Sequence, residues 1–290
     1  MPTGTQFFEL RNNYLRRICE SILGYRHESK ILSVADSSSA TSIALAAGMV
    51  DRMGYPLCTK PKPGQTSGTL FTQLTLEFLE SAFGKLKHLR PGNWVFSAKQ
   101  AVSGISAFDQ YEHLADLRVV LEKHKNLSAA LGGDYFIMPD IVVIRRSITD
   151  AEINAVTNLV ETTDNISRHT PLRSVNYDVP RHILHASISC KWTMRSDRAQ
   201  NTRTEALNLI RNRKGPAPHI VAVTLEPMPT RLASIAMGTG DVDCTYHGAL
   251  YELKGAVDAS GNADQAEMLD TLISGRRLRD ISDLPFDLAI

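Results

Sequence analysis

Cysteine is scarce and scattered in this chain. Cys19, Cys58, Cys190 and Cys244 show no CxxC or CxxH spacing, which argues against a zinc framework or a disulfide scaffold and fits a reducing compartment. Long hydrophobic runs are missing too: no stretch stays apolar for the ~18 or more residues that a membrane span requires. Glu9 and Arg11 interrupt any signal-like order at the amino terminus, so a soluble, cytoplasmic protein without a membrane partner is expected. An excess of one charge is absent, since the formal net charge is +1, and this argues against a nonspecific coat for nucleic acid. Glycine-rich phosphate loops are lacking: Gly238-Thr239-Gly240 continues into neither a P-loop nor a dinucleotide fingerprint. There is no internal repeat and no low-complexity tract.

What remains is an ordinary globular composition, 43% hydrophobic and 22% charged, in 290 residues that can bury a substantial core. Helical spacing of apolar residues predicts helices over 6–24, over 43–49 after the serine run Ser37–Ser39, over 67–86, and over 107–131 before Gly132-Gly133. Residues 60–65, with two prolines and a glycine, read as a loop. The period then changes. Residues 135–138 and 141–144 are short apolar runs of strand type, separated by Pro139-Asp140. His185 to Lys191 alternates, with His185, Ser187, Ser189 and Lys191 on one face and Ala186, Ile188 and Cys190 on the other. A helical pattern runs to Lys214 and stops at Gly215-Pro216, and residues 219–225 form another buried strand. Strands separated by helices predict one α/β domain over 1–290, built on a central mixed β-sheet flanked by helices.

Three charged side chains carry the first chemical reading. Asp140 precedes one strand, Lys191 ends another, and Glu205 follows one helical segment on. If the two strands are neighbours, carboxylate and ammonium converge on one phosphate. Two carboxylates and a backbone carbonyl would suit a hard cation such as Mg²⁺, which activates water for in-line displacement. The lysine could orient that water and stabilise developing charge. Each residue also has a plainer reading: Asp140 as a turn residue, Thr202-x-x-Glu205 as a capping box, and Lys191 as a solvated strand end.

Arg195, Asp197 and Arg198 follow directly. Arginine can donate two bonds to guanine O6 and N7, and aspartate can accept from cytosine N4. The plainer reading is a salt-bridged helix start, with Asp197 at the positive end of the helix dipole. Between Arg195 and Lys214 there are six basic and two acidic residues, a local surplus suited to phosphate. Serine-lysine hydrolysis through Ser187, Ser189 and Lys191 lacks a glycine-rich oxyanion loop. A Cys190–His185 pair is divided by strand alternation.

Order and wording together resemble one family. Residues 187–193 (SISCKWT) followed by 195–198 (RSDR), 205–209 (EALNL) and 211–215 (RNRKG) resemble the NgoMIV-type restriction endonucleases of the PD…K nuclease superfamily. So do 63–68 (PGQTSG), 139–141 (PDI), 233–236 (ASIA) and 280–285 (DISDLP), which spreads the likeness over most of the chain, thinning at the amino terminus and between 145 and 182. The resemblance implies a type II enzyme that hydrolyses both strands of double-stranded DNA. Asp140, the Cys190 carbonyl and Glu205 would be metal ligands for Mg²⁺, and Lys191 the catalytic lysine. Ser189 would stand where many related nucleases carry the acidic group that Glu205 supplies here. Arg195, Asp197 and Arg198 would read an inner CCGG, Asp36 and Arg231 the outer G·C pair, and Gln65 would touch the minor groove. The implied target is GCCGGC, cut to leave 5′ overhangs.

A homo-oligomer, a dimer of dimers, and a cognate DNA methyltransferase as functional partner follow from the same resemblance. One departure stands out: Thr72 occupies a position where the family carries a glutamate in the helix after the glycine-glutamine loop. The alternative is therefore a catalytically inactive, sequence-specific DNA-binding protein.

Overall fold

The structure is a computed structural model that describes residues 4–26, 29–60, 62–98, 104–131, 137–194, 196–238 and 240–290; the side chains of 128, 130, 131 and 196–198 also lie outside the description. The amino-terminal half is helical: α1 (Gln6–Ser21), α2 (Ala40–Met53) and α3 (Gly64–Lys85) precede strand β1 (Trp94–Ser97). Then come α4 (His113–Lys123), α5 (Lys125–Leu131), β2 (Ile141–Arg145), α6 (Asp150–Ile153) and β3 (Ile183–Lys191). From there strands and helices alternate through α7 (Ser196–Asn212), β4 (His219–Thr224), α8 (Pro229–Ala236) and β5 (Cys244–His247). The chain closes with α9 (Leu250–Ser260), α10 (Ala263–Ser274), β6 (Leu278–Asp280) and α11 (Leu284–Asp287).

Local chemistry explains most boundaries. Thr5 caps α1 by accepting from the Phe8 amide, and Ser39 caps α2 by accepting from the Ser42 amide. Gly54, at φ 70°, ends α2 in the left-handed conformation that a side chain would oppose. Pro63 precedes α3, so Gly64 and Gln65 belong to its first turn rather than to the loop expected over 60–65.

Among the described residues six strands form one mixed sheet in chain order, β1-β2-β3-β4-β5-β6. The β1/β2 and β2/β3 pairs are antiparallel, whereas β3/β4, β4/β5 and β5/β6 are parallel. The architecture is thus α/β with helices on both faces, consistent with a restriction-endonuclease-like fold. One face, including Ile141, Val143, Ala186, Ile188 and Val223, packs under α1, α2, α3 and α9. The other, including Val142, Ile144, Leu184 and Ala222, packs against Tyr111, Leu114, Ala206 and Leu209. Both faces of β2 are buried, which is why its sequence is a continuous apolar run rather than an alternation.

Three expectations change. The helix expected over 107–131 is two 3-10 turns followed by α4 and α5, because Phe108 is extended and bridges His182, while His124 departs from helical geometry. Ile137 and Met138 are irregular rather than strand; Tyr135, Phe136 and the expected stop at Gly132-Gly133 lie outside the described residues. His185 leaves the alternation of β3: the register with β2 shifts there, so Leu184 and Ala186 point into different cores. Its ring lies edge-on to Trp94 and His219, and Nε2 meets the Leu288 carbonyl at 2.8 Å.

The terminal motif at 280–285 serves this framework. Asp280 accepts from Arg11 at 2.8 Å, and the same guanidinium donates to the half-buried Glu252 at 2.7 Å, so the charges of α1, α9 and β6 satisfy one another.

Candidate active site and recognition surface

Topology brings Asp140 and Lys191 together at one end of the sheet. Asp140 stands immediately before β2, and antiparallel pairing sets the start of β2 beside the end of β3. Asp140 Oδ2 accepts from the Cys190 amide at 2.8 Å and from Lys191 Nζ at 3.0 Å. The first bond locks the carboxylate to the strand backbone; the second draws the ammonium to it. Side-chain exposures of 33% for Asp140 and 22% for Lys191 leave the pair open to a ligand arriving from outside. The parallel strands β4 and β5 end on the same side, where open α/β sheets gather ligands.

Glu205 reaches this pair from α7. Burial pushes its carboxyl above the ordinary value; Lys191 opposes that shift and the negative charge of Asp140 adds to it. Glu205 is therefore electrostatically coupled to both partners. The capping-box reading fails, since α7 starts at Ser196 and Thr202 is an interior residue. Thr202 is buried instead, with its hydroxyl 3.4 Å from Ser189 Oγ on β3.

The far wall comes from α3. Phe71 packs edge-on against Trp192 with ring centroids 5.4 Å apart, a contact that contributes roughly 0.5–1.5 kcal/mol and seats α3 on the end of β3. Thr72 and Thr75 both act on the Cys190 thiol, whose residue directly precedes Lys191 in β3. Burial pushes that thiol well above its usual range, and it is no nucleophile at neutral pH. Glu77 does not substitute at Thr72's place: it pairs with Arg17 at 2.5 Å on the outer side of α3.

Among the described residues, no group of three or more His, Cys, Asp or Glu side chains is arranged to hold a metal. The donors present are two carboxylates, Asp140 and Glu205, with main-chain carbonyls beside them. All are hard oxygen donors, and the like-charge coupling of the two carboxylates is what a divalent cation would relieve. The set fits such an ion.

A second cluster lies where α2 and α8 begin. Arg231 of α8 pairs with Asp36 Oδ2, while Asp36 Oδ1 accepts from the Ser38 amide at 2.9 Å and the Ser38 hydroxyl at 2.7 Å. The Ser38 amide and then Arg231 hold the Asp36 carboxyl far below the usual range, so it is ionised. Gln65 is exposed in the first turn of α3. Arg195 lies outside the described residues; Asp197 and Arg198 fall within α7, but their side chains lie outside the description.

One residue escaped sequence reasoning. Glu226, 1% exposed, accepts from the Met194 amide at 2.8 Å with Oε2 and from the Met228 amide at 3.2 Å with Oε1. Its signal was a carboxylate placed directly after the buried strand expected over 219–225, between Leu225 and Pro227.

Comparison with known proteins bears on these clusters together. Residues 14–290 match the model of a family described as the NgoMIV restriction enzyme. The chain is 46% identical over 288 residues to the type II restriction enzyme NgoMIV of Neisseria gonorrhoeae, covering 98% of this chain and 99% of that protein.

Proposed function

The chain belongs to the NgoMIV restriction enzyme family and is a type II restriction endonuclease, and from that premise we propose how, and where, it cuts. Its substrate is double-stranded DNA, its target a palindrome containing CCGG, most simply GCCGGC, and its products carry 5′ overhangs. The observation that carries the reading is the Asp140 carboxylate, held by the Cys190 amide and the Lys191 ammonium at the open end of the strands.

In this reading Asp140, Glu205 and the Cys190 carbonyl hold Mg²⁺. The ion, when bound, supplies Lewis-acid activation of water and charge neutralisation at the scissile phosphate. Lys191 orients the attacking water and stabilises the negative charge that develops on the phosphate oxygens. Ser189 and Thr202 pack beneath that centre, keeping the polar face of β3 against α7. Arg195, Asp197 and Arg198 read the inner base pairs, Asp36 and Arg231 the outer pair, and Gln65 the minor groove. The Asp36–Arg231 pair supports this, since an ionised carboxylate and a guanidinium set side by side offer the acceptor and donors that a C·G pair requires.

We also propose that residues 1–290 form a single endonuclease domain, supported by the one continuous sheet. A palindromic target calls for a twofold assembly, each subunit reading a half-site, and the family extends this to a dimer of dimers. Such an enzyme works in the cytoplasm beside a cognate DNA methyltransferase. No helix among the described residues is long and apolar enough to cross a membrane.

The test is digestion of a plasmid of known sequence with and without Mg²⁺, beside Asp140→Ala, followed by sequencing of the ends. Fragments ending within GCCGGC, absent without metal and in the variant, are expected. An intact plasmid that nonetheless binds GCCGGC specifically in Ca²⁺ would make this an inactive DNA-binding protein, with Thr72 the first residue to restore.

A further inference from the structure

Glu226 makes no hydrogen bond to the described side chains of either cluster but touches the chain that leads into each. Met194, whose amide binds Oε2, immediately precedes Arg195; Met228, whose amide binds Oε1, caps the start of α8, which carries Arg231. Glu226 is itself held at every backbone atom that can bond. Its amide donates to the Thr224 hydroxyl at 3.2 Å. His247 accepts from the Ala249 amide at Nδ1, so its Nε2 carries the proton and donates to the Glu226 carbonyl at 3.1 Å. Such investment in a buried acid whose carboxyl bonds only to backbone calls for a role.

We propose that Glu226 is a positioning residue for sequence reading: its carboxylate holds the chain entering Arg195–Arg198 and the chain entering α8 in one register, so that inner and outer base pairs are read together. The inference rests on the assignment of Arg195, Asp197, Arg198 and Arg231 to base reading. The chemistry is specific to a glutamate. Once ionised, above about pH 7, the carboxylate has two acceptor oxygens and no donor, which matches two amide donors. Glutamine offers one acceptor oxygen and an amino group that cannot accept, so one segment is released. Aspartate keeps the charge but is one methylene too short to span both.

The test measures kcat/KM of the full-length enzyme with Mg²⁺ on three duplexes: GCCGGC, one altered at an inner base pair, and one altered at the outer pair. Glu226→Gln is expected to lose roughly tenfold of the discrimination at both positions while its thermal midpoint stays at or above that of the native chain. Glu226→Asp, which retains the charge, is expected to lose discrimination at both positions as well. Combined with Arg231→Ala, Glu226→Gln should add little further loss at the outer pair, because both act on one contact. Variants at 226 that discriminate like the native enzyme at both positions overturn the proposal, as does lost stability with discrimination intact. Arg231→Ala alone keeps the two readings separable: unchanged outer preference removes Arg231 as a reader, and with it the outer half of the proposal, whatever the variants at 226 do.

Discussion

The residues proposed to cut and those proposed to read are held in different ways. Asp140 and Lys191 are fixed through strand pairing, because the Cys190 amide that binds Asp140 belongs to β3 itself. Asp36, in the turn before α2, and Arg231, in the first turn of α8, are fixed by each other and by Ser38. The first arrangement holds whether or not a ligand is present, since moving Asp140 means breaking its bond to the backbone of a central strand. The second is a contact between two groups whose proposed ligand is the base pair itself, so binding exchanges one set of bonds for another. The proposed cutting centre is thus set by the backbone register and the proposed reading pair by side-chain pairing. Changes to one should leave the other largely intact.

The largest test of that separation is Glu205→Gln. Cleavage of GCCGGC should fall by at least ~100-fold, while specific binding in Ca²⁺ stays within a few-fold; equal losses in both would merge the two regions into one.

Glu226, which links the reading segments, should reveal itself in stability. Burial pushes its carboxyl from 4.5 to about 7, with the Met194 amide, Arg231 and the Met228 amide opposing and Asp36 adding to the shift; the His247 ring faces its backbone. A folded pKa raised above the unfolded value means that its contribution is fully present below about pH 4.5 and is lost as pH rises through about 7. Relative to Glu226→Gln, the native chain should therefore lose on the order of 3 kcal/mol between pH 4 and pH 8. Urea denaturation across that range measures it, and parallel curves would show that the carboxyl is not perturbed.

Arg231→Ala should cost roughly 5- to 150-fold in discrimination at the outer base pair and nothing at the inner pairs. Loss at both would mean that α8 shapes the whole surface rather than reading one position. The smallest effect belongs to Thr202→Val. The 3.4 Å contact with Ser189 is long, so stability should fall by about 1 kcal/mol or less and cleavage should stay within threefold.

The same contrast governs what was legible in the sequence. Asp140 and Lys191 could be found because each borders a strand with a readable pattern: a continuous apolar run for β2, an alternation for β3. That the two strands are neighbours was only a condition there, and the β2/β3 register meets it. Glu205 was visible but its local reading misled, since the helix begins six residues before Thr202 and not at it. Asp36 and Arg231 are 195 positions apart, and no spacing rule joins residues so distant; only the family resemblance named them. β1, β5 and β6 have four, four and three residues, too few for any period to register. The break of the expected 107–131 helix at Phe108 depends on a bridge to His182, a tertiary contact. Glu226 shows the reverse case, a readable anomaly whose partners are backbone amides and so leave no trace in side-chain chemistry.

The most direct measurement is made on Lys191→Ala, with cleavage in Mg²⁺ and binding in Ca²⁺ determined on one GCCGGC duplex and one control duplex. Because the ammonium meets Asp140 and, among the described residues, no side chain assigned to reading, cleavage should disappear while the preference for GCCGGC over the control is unchanged. Loss of that preference together with cleavage would contradict the division between a backbone-set cutting centre and a side-chain-set reading surface.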